Sequence, residues 1–395
     1  SGGTNRRDFL KFLGFSVTAA SLAACETPVN KAIPYLVKPE EVTLGVANWY
    51  ASTYYDGRDY SPVLIKTREG RPIKVKGNDI YTSGGPNARI YASVLSLYDA
   101  SRLNGPTIDG KPSNWSTVDK EIGAKLGAIA AKGGAIRILS STIISPSTKA
   151  VIAEFTAKYP STKLVTYDAI SFAGIAKANE KSFGKAVIPS YSFDKAQVIV
   201  SIGADFLANW IEDYSVPYAR NRKVSREKSE MSKHYQFESN LSLTGAKADE
   251  RVPLTVSAHA KGAVNLYNAV ANQVGGTTLP SAALSSDTMI TKAAKDLADH
   301  KGSSLVVCGS NDVDVQVIVN GINELLGNYG KTIDLDTPSY LNQSDDQGFA
   351  DLVSEMAAGK VDALITYNTN PVYTSPAALK FADAYNKVGL RISFA

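Results

Sequence analysis

Short apolar runs alternate with helix-like patterns along most of the chain. Six runs have the length and the branched or aromatic residues of buried strands: 135–139, 163–167, 197–202, 304–308, 332–335 and 363–367. Between them, Pro146 stands where a helix would begin, followed by apolar positions at helical spacing from Ala150 to Phe155. Strands separated by helices predict an α/β fold with doubly wound, mainly parallel sheets.

Residues 45–105 follow a different pattern. The runs 63–65 and 73–75 flank Glu69-Gly70-Arg71-Pro72, which has the composition of a hairpin turn. We therefore predict a small strand-rich domain over 45–105 and an α/β region over 106–395. Residues 212–252 are polar and charge-dense, and we expect them to form an excursion from the sheet. Because apolar residues continue to Ala395, we expect the α/β region to be truncated at its C-terminus.

The first 25 residues have the order of parts of an export signal. Arg6 and Arg7 precede an apolar run of about thirteen residues, which is too short to span a membrane comfortably. This order predicts a twin-arginine signal, the alternative being an amphipathic first helix. Small residues then lead to Cys25, typical of a lipoprotein attachment site, although an exposed free thiol is the alternative. Location on the periplasmic side of the bacterial inner membrane, with a lipid anchor at Cys25, would follow.

A proline-containing segment follows this signal. Residues 26–44 include Pro28, Pro34 and Pro39, each of which biases the preceding residue toward an extended conformation. The segment is typical of a tether between a membrane anchor and a folded domain.

Composition narrows the possible chemistry. Lys and Arg number 42 against 38 Asp and Glu, a net charge of +4 that gives no support for nucleic-acid binding. Cys25 and Cys308 cannot build a disulfide framework or a four-thiolate metal site. The three histidines are widely separated and match no metal-ligand spacing: His234, His259 and His300.

Motifs for common cofactors and nucleophiles are missing from the sequence, which has no P-loop, no G-x-G-x-x-G after a strand and no G-x-S-x-G. The loops 203–205 and 309–312 follow strands, where they could bind a ligand or simply turn the chain. The acidic pairs Glu212-Asp213 and Asp345-Asp346 are typical of solvated loops. Tyr54-Tyr55 could stack a ring or pack across strands, and Cys308 resembles an inert core residue. We therefore assign no catalytic, cofactor-binding or metal-binding residue.

Five motifs in order resemble one family, the molybdopterin oxidoreductases of the dimethyl-sulfoxide-reductase superfamily. The likeness covers residues 45–395 and is carried by the hairpin 70–78, the segment Leu97–Pro106, Trp115–Val118, Thr244–Leu254 and Tyr367–Pro371. Active members carry cluster-binding cysteines in the first strands and a fourth cysteine further along. Here Trp49–Tyr55 contains none, the fourth position falls near Asn87–Arg89, and no molybdenum ligand can be placed. The resemblance implies a domain that keeps the fold without the cofactor.

Two stretches are similar, more narrowly, to the large iron–sulfur subunits of bacterial alternative complex III. These are the run from Arg6 to Tyr35 and Ser232–Ser239. The resemblance implies a non-catalytic scaffold within a quinol:cytochrome c (or oxidase) oxidoreductase, with [4Fe–4S] and [3Fe–4S] clusters in a domain beyond residue 395. It also implies a quinol-binding integral membrane subunit, multihaem and monohaem cytochrome c subunits, and a terminal oxidase as partners.

Two other readings stay open at this point. An active molybdoenzyme of the polysulfide- or nitrate-reductase type would have a metal ligand that the motifs do not reveal. A solute-binding lipoprotein would also combine an acylated cysteine with α/β lobes, and it would be stabilised against heat by its ligand.

Overall fold

The computed structural model describes residues 42–43, 45–81 and 86–394. The predicted export arginines Arg6 and Arg7 and the predicted lipid attachment site Cys25 lie outside these residues, as does nearly all of the tether. Residues from Asn48 onward form one compact unit. In the described part of the chain, no helix is both long and apolar enough to cross a bilayer.

A three-stranded antiparallel sheet begins this unit. Its strands are β1 (Asn48–Tyr55), β2 (Tyr60–Arg68) and β3 (Arg71–Gly77), in that order. The turn between β2 and β3 places Glu69 and Gly70 at positive φ, which confirms the predicted hairpin. The inner face buries Val63 and Val75 against Ile90 of the short helix α1 (Ala88–Ala92).

The remaining elements build the α/β region. The helices are α2 (Trp115–Ala131), α3 (Pro146–Lys158), α4 (Ala173–Phe183), α5 (Ser215–Arg222), α6 (His259–Val274), α7 (Asp287–Asp299), α8 (Val313–Leu325), α9 (Asp346–Ala357), α10 (Pro371–Thr374) and α11 (Phe381–Tyr385). The strands are β4 (Thr107–Ile108), β5 (Lys111–Pro112), β6 (Ile136–Ser140), β7 (Thr162–Thr166), β8 (Ile188–Tyr191), β9 (Val198–Ile202), β10 (Lys233–Glu238), β11 (Glu250–Pro253), β12 (Ser304–Cys308), β13 (Ile333–Ser339), β14 (Ala363–Tyr367) and β15 (Leu390–Phe394).

Two four-stranded parallel sheets organise these elements. The first has the order β15-β14-β6-β7 and the second β11-β10-β9-β12. All four strands of the second sheet lie in the sequence between β7 and β14. The segment that forms the second sheet is therefore an insertion in the sequence of the first. The predicted fold class, an α/β protein with doubly wound parallel sheets and a small N-terminal strand-rich part, is confirmed.

Apolar residues on both faces of each sheet explain why these runs became buried strands. In the first sheet, Leu139 and Leu364 pack against α9 and α11 through Leu352 and Phe381. In the second sheet, one face packs against α6, α7 and α8, while the other meets the aromatic segment around Phe206 and Trp210. Each sheet is therefore a layer between helices or loops, as expected for doubly wound folds.

The expectation that 212–252 leaves the sheet is wrong for residues 233–238 and for the start of β11 at Glu250, whereas 212–232 and 239–249 contain no strand. β10 lies inside the second sheet, between β9 and β11. Its alternate residues His234, Gln236 and Glu238 are buried although they are polar. The error arose because their polarity resembled a solvated segment, whereas they bind one another and their neighbours.

The run 332–335 is a strand, but it does not join a parallel sheet. β13 pairs antiparallel with β8 in a separate two-stranded sheet. This pair packs beside the second sheet, with Ile188 and Ile333 in the same core as Ile199 and Leu305.

Candidate functional site

A cleft of about 910 Å³ lies where the loop between β1 and β2 meets the α/β region. The start of α3 and the segments beside β8 and β13 complete its walls. Five charged residues line it: Arg58, Asp59, Lys149, Glu212 and Asp213. No cysteine or histidine is among the described residues that line it. The described lining of the cleft thus carries charged side chains but none of the soft metal ligands that a redox centre commonly uses.

The first parallel sheet reverses its strand order between β6 and β14. β7 lies on one side of this pair and β15 on the other, so the crevice at their carboxyl ends is the switch point where open α/β sheets bind ligands. Gly57 of the β1–β2 loop occupies it, with φ +95°. A Cβ on Gly57 would lie 2.4 Å from Ser141 Oγ and 2.6 Å from Asn368 Nδ2. The chain's own loop therefore fills this crevice.

Three hydrogen bonds hold that loop and the segment beneath it in place. The Tyr55 hydroxyl donates to the carbonyl oxygen of Thr142. Thr142 in turn donates to the buried carboxylate of Asp168, from its amide at 2.9 Å and its hydroxyl at 2.6 Å. Burial raises the pKa of Asp168, and the two donors from Thr142 act in the opposite direction. The loop is therefore anchored to a polar cluster at the carboxyl edge of the first sheet.

The second sheet reverses between β9 and β12, and its switch point is also filled. Gly203 follows β9 with φ +65°, and a Cβ there would lie 2.4 Å from His259 Cε1. Gly309 follows β12, and its Cβ would lie 2.3 Å from the carbonyl oxygen of Gly203. The backbones of the two loops thus touch each other, and the His259 ring covers one of them.

The molybdopterin group implied by the family resemblance does not fit these two crevices. A dinucleotide at a switch point needs open backbone at the strand ends to receive its phosphates. At one crevice that space holds Gly57, and at the other it holds His259 and the Gly203–Gly309 contact. In the cleft, the carboxylates of Asp59, Glu212 and Asp213 outnumber the cations Arg58 and Lys149. We derive no catalytic step through a pterin here.

An ion pair occupies the place where the resemblance puts the fourth cluster cysteine. Asp59 accepts from Arg89 Nε at 2.5 Å, from Arg89 Nη2 at 2.8 Å and from Asn87 Nδ2 at 2.9 Å. Burial alone would raise the pKa of Asp59, but the hydrogen bonds from Arg89 and Asn87 outweigh it and keep that pKa below its usual value. This pair fastens the β1–β2 loop to α1 by charge rather than through a cluster.

Within the described residues, no group of three or more His, Cys, Asp or Glu side chains could hold a metal ion. Cys308 is buried in β12, and burial raises the pKa of its thiol to about 11. A protonated buried thiol is a poor nucleophile and a poor metal ligand. The structure thus gives Cys308 the environment of a core residue.

The other residues singled out by sequence fall into two linked groups: Tyr55, Glu212 and Asp213 line the cleft, and Asp346 accepts from Asn311 of the loop 309–312. Tyr54 donates to Asp56 and Tyr55 to Thr142, so their hydroxyls act in loop anchoring. Glu212 and Asp213 line the cleft, where Glu212 accepts from Ser339. Asp345 caps α9 by accepting from the Gly348 amide at 3.0 Å. The loops 203–205 and 309–312 meet at the second switch point.

A buried polar row on β10 was missed by the sequence reasoning. His234 Nε2 lies 3.2 Å from Gln236 Oε1, and Gln236 Nε2 donates to Glu238 at 3.3 Å. Glu238 also accepts from Arg251 Nε at 2.6 Å. The signal that could have revealed the strand is the strict alternation with Tyr235 and Phe237, which lie in the opposite core.

We expect this row to make stability depend on pH. Burial lowers the pKa of His234 to about 4, against about 6.5 unfolded. Its neutral form therefore stabilises the fold above pH 6.5, and that contribution, about 3 kcal/mol, is lost as the pH falls toward 4. Urea unfolding between pH 7 and 4 should show a smaller pH slope in His234→Gln. An unchanged slope in His234→Gln would contradict the assignment.

No family model matches the chain. A curated protein of Nitratidesulfovibrio vulgaris, named menaquinone reductase, molybdopterin-binding-like subunit, is 24% identical over 445 residues, which cover 99% of this chain and 62% of that protein. Acetylene hydratase from Pelobacter acetylenicus superposes with a TM-score of 0.60 at 11% identity, over 87% of this chain and 60% of its own. The chain spans less than two thirds of either protein, and its fold is molybdopterin-oxidoreductase-like.

Proposed function

We propose that this chain is the non-catalytic scaffold portion of a subunit in a quinone-linked membrane oxidoreductase. The type that we propose is alternative complex III, in which quinol is oxidised and cytochrome c or an oxidase is reduced. The chain would supply a rigid surface on which the electron-carrying parts are held at fixed spacing. It would contribute no catalytic residue of its own.

The name of the curated relative supports the quinone link. That protein is named as a menaquinone reductase subunit, and its match extends along nearly the whole of this chain. The words "molybdopterin-binding-like" in its name agree with a fold of that type. Two sequence stretches, Arg6–Tyr35 and Ser232–Ser239, favour the narrower assignment to alternative complex III.

The observation that carries the scaffold role is the filling of both switch points. Gly57 lies between Ser141 and Asn368 at one of them, and His259 covers Gly203 at the other. These are the places where a doubly wound fold binds its dinucleotides. A protein that fills them with its own backbone and side chains keeps a rigid body in place of the cofactor.

The parts that transfer electrons would lie outside this chain. We place the [4Fe–4S] and [3Fe–4S] clusters in a domain after residue 395, which fits the greater length of the curated relative. The partners would be a quinol-binding integral membrane subunit, multihaem and monohaem cytochrome c subunits, and a terminal oxidase. Export by Arg6 and Arg7 and acylation at Cys25 would hold the subunit on the periplasmic side of the inner membrane.

A redox-difference spectrum of the native particle tests this proposal. The tagged protein would be solubilised gently from its own membranes and mixed with a reduced quinone analogue. We expect co-purifying c-type haem that the quinol reduces. A haem-free monomer that leaves the membrane without detergent would overturn both the complex and the anchor.

A further inference from the structure

The outer face of the antiparallel sheet carries an unusual concentration of positive charge. Residues 66–79 contain five cations and two anions, a net charge of +3, whereas the whole 395-residue chain has +4. The cations are Lys66, Arg68, Arg71, Lys74 and Lys76. Most of the excess charge of the protein is thus contained in one hairpin.

The strand register puts these cations on one face. Lys66 pairs directly with Lys74, and Arg68 pairs directly with Arg71. Residues directly opposite each other in an antiparallel pair share a face, and so do residues two apart along a regular strand. The register shifts between Lys66 and Thr67 and leaves Ile73 unpaired, so Arg71 is assigned to this face by its pairing with Arg68 and not by its distance along β3. The opposite face holds Val63 and Val75, which pack against α1. All five cations therefore point away from the core of the small sheet.

Two directly opposed like-charged pairs are destabilising in a sheet. In the described part of the chain, Lys66, Arg68, Arg71 and Lys74 form no ion pair, and the one contact of Lys76 is a solvent-exposed 3.6 Å approach to Asp79. The repulsion is thus not relieved by the described residues. It would be relieved by an anionic surface that meets all the cations at once.

An aromatic residue lies on the same face. Trp49 of β1 pairs with Lys66, whose Nζ is 5.7 Å from the indole ring, and 44% of Trp49 is exposed. Tryptophan beside lysine and arginine is the combination found where proteins meet the headgroup region of a bilayer. None of the five cations lines the cleft described above.

We propose that this outer face, formed by Trp49, Lys66, Arg68, Arg71, Lys74 and Lys76, binds the surface of a membrane rich in anionic phospholipids. The attraction is electrostatic and acts on many headgroups at once, so it weakens as salt screens the charges. The proposal does not rest on the role in a quinone-linked complex. It would orient the small sheet toward the bilayer whichever reaction the complete protein serves.

Vesicle sedimentation tests the proposal. The full chain carrying Cys25→Ser, which cannot be acylated, is mixed with vesicles of phosphatidylcholine alone or with phosphatidylglycerol added. We expect binding to the phosphatidylglycerol vesicles that falls with added salt. Any binding to pure phosphatidylcholine reports the apolar N-terminal run and serves as the baseline.

Two charge variants of equal net charge decide where the binding occurs. The face variant carries Lys66→Gln, Arg68→Gln, Arg71→Gln and Lys74→Gln, and should bind phosphatidylglycerol vesicles at least about tenfold more weakly. The control variant neutralises four exposed lysines of the α/β region and should bind like the parent: Lys163→Gln, Lys177→Gln, Lys301→Gln and Lys360→Gln. Equal losses in the two variants, or no salt-dependent binding of the parent, would overturn the proposal.

Tryptophan fluorescence gives a readout at the face itself. If Trp49 enters the headgroup region, emission of the parent should shift to shorter wavelength on vesicle binding. Trp49→Phe should abolish the shift while the other two tryptophans, Trp115 and Trp210, remain. A shift of the same size in Trp49→Phe would place the contact elsewhere, and binding of the parent only to an acidic protein, without any to vesicles, would also overturn the proposal.

Discussion

Gly309→Ala should lower the free energy of unfolding by about 2–3 kcal/mol, since it overpacks a site that cannot relax easily. The added Cβ would meet the carbonyl oxygen of Gly203 at 2.3 Å and its carbonyl carbon at 2.7 Å. Both atoms belong to backbone, so relief requires the loops after β9 and β12 to move apart. Urea unfolding followed by circular dichroism measures the loss.

Gly123→Ala is the matched control for that substitution. Gly123 lies within α2, and apart from the adjacent backbone of its own helix no atom is within 4 Å of the Cβ that it would gain. Alanine has the higher helix propensity, so this variant should be more stable by about 0.5–1 kcal/mol. If Gly309→Ala unfolds at the same urea concentration as the parent, the second switch point is not closed in the way described above.

Arg251→Met should cost about 3 kcal/mol, because it leaves the buried carboxylate of Glu238 without its charge partner. Only 5% of the Glu238 side chain is exposed, and Arg251 Nε donates to it at 2.6 Å. Burial alone would raise the pKa of Glu238, but hydrogen bonds from Ser242 and Arg251 keep it below its usual value. In the parent, this lowered pKa stabilises the fold at neutral pH, and the contribution is lost as the pH falls toward acid.

The loss of stability in Arg251→Met should depend on pH. Without Arg251 the effect of burial is less opposed, so the pKa of Glu238 should rise and protonation should occur more readily in the folded state. The difference in stability between parent and variant should therefore shrink as the pH is lowered. Unfolding curves at pH 7 and pH 5 measure this change.

Two further variants separate loss of a buried partner from loss of a surface charge. Lys295→Met removes one member of an exposed pair, Lys295–Asp299 at 2.8 Å, and should leave the urea midpoint close to that of the parent, because solvent screens this pair. The double variant Glu238→Gln with Arg251→Met should be more stable than Arg251→Met alone, because no buried charge is left unpaired. Equal costs for Arg251→Met and Lys295→Met would refute the importance of this pair.

Elements with apolar periodicity could be predicted from the sequence. The strands β6, β9 and β12 are fully buried runs rich in Ile, Leu and Val, and α2 begins at Trp115, the first residue of one of the five family-like motifs. The hairpin between β2 and β3 was visible because Glu69-Gly70 supplies the turn. Local signals of this kind need no knowledge of what the strand will pack against.

β10 and the two filled switch points depend on contacts that local patterns do not contain. The residues of β10 look solvated until His234, Gln236 and Glu238 are seen to bind one another. Gly57, Ser141 and Asn368 are separated by dozens to hundreds of residues, yet they meet in one crevice. The order of strands in the sheet determines which distant residues come into contact, and this order cannot be read from local sequence patterns.

The missing motifs in the sequence and the filled crevices in the structure independently support the hypothesis of a non-catalytic scaffold. The sequence lacks cysteines in Trp49–Tyr55, and the structure puts an Asp59–Arg89 ion pair where the resemblance places the fourth one. The first observation concerns the amino-acid sequence, whereas the second concerns contacts between side chains in the structure. Together they favour a domain whose two switch points are filled by residues of the chain itself.

Molybdenum and pterin content, measured on the full-length protein purified from its own membranes, tests the central claim most directly. Molybdenum would be counted per chain by mass spectrometry, and pterin by its fluorescence after acid oxidation. We predict that neither is present at a stoichiometric level, even where iron from the proposed cluster domain is abundant. One molybdenum and at least one pterin per chain would contradict the scaffold role and establish an active molybdoenzyme.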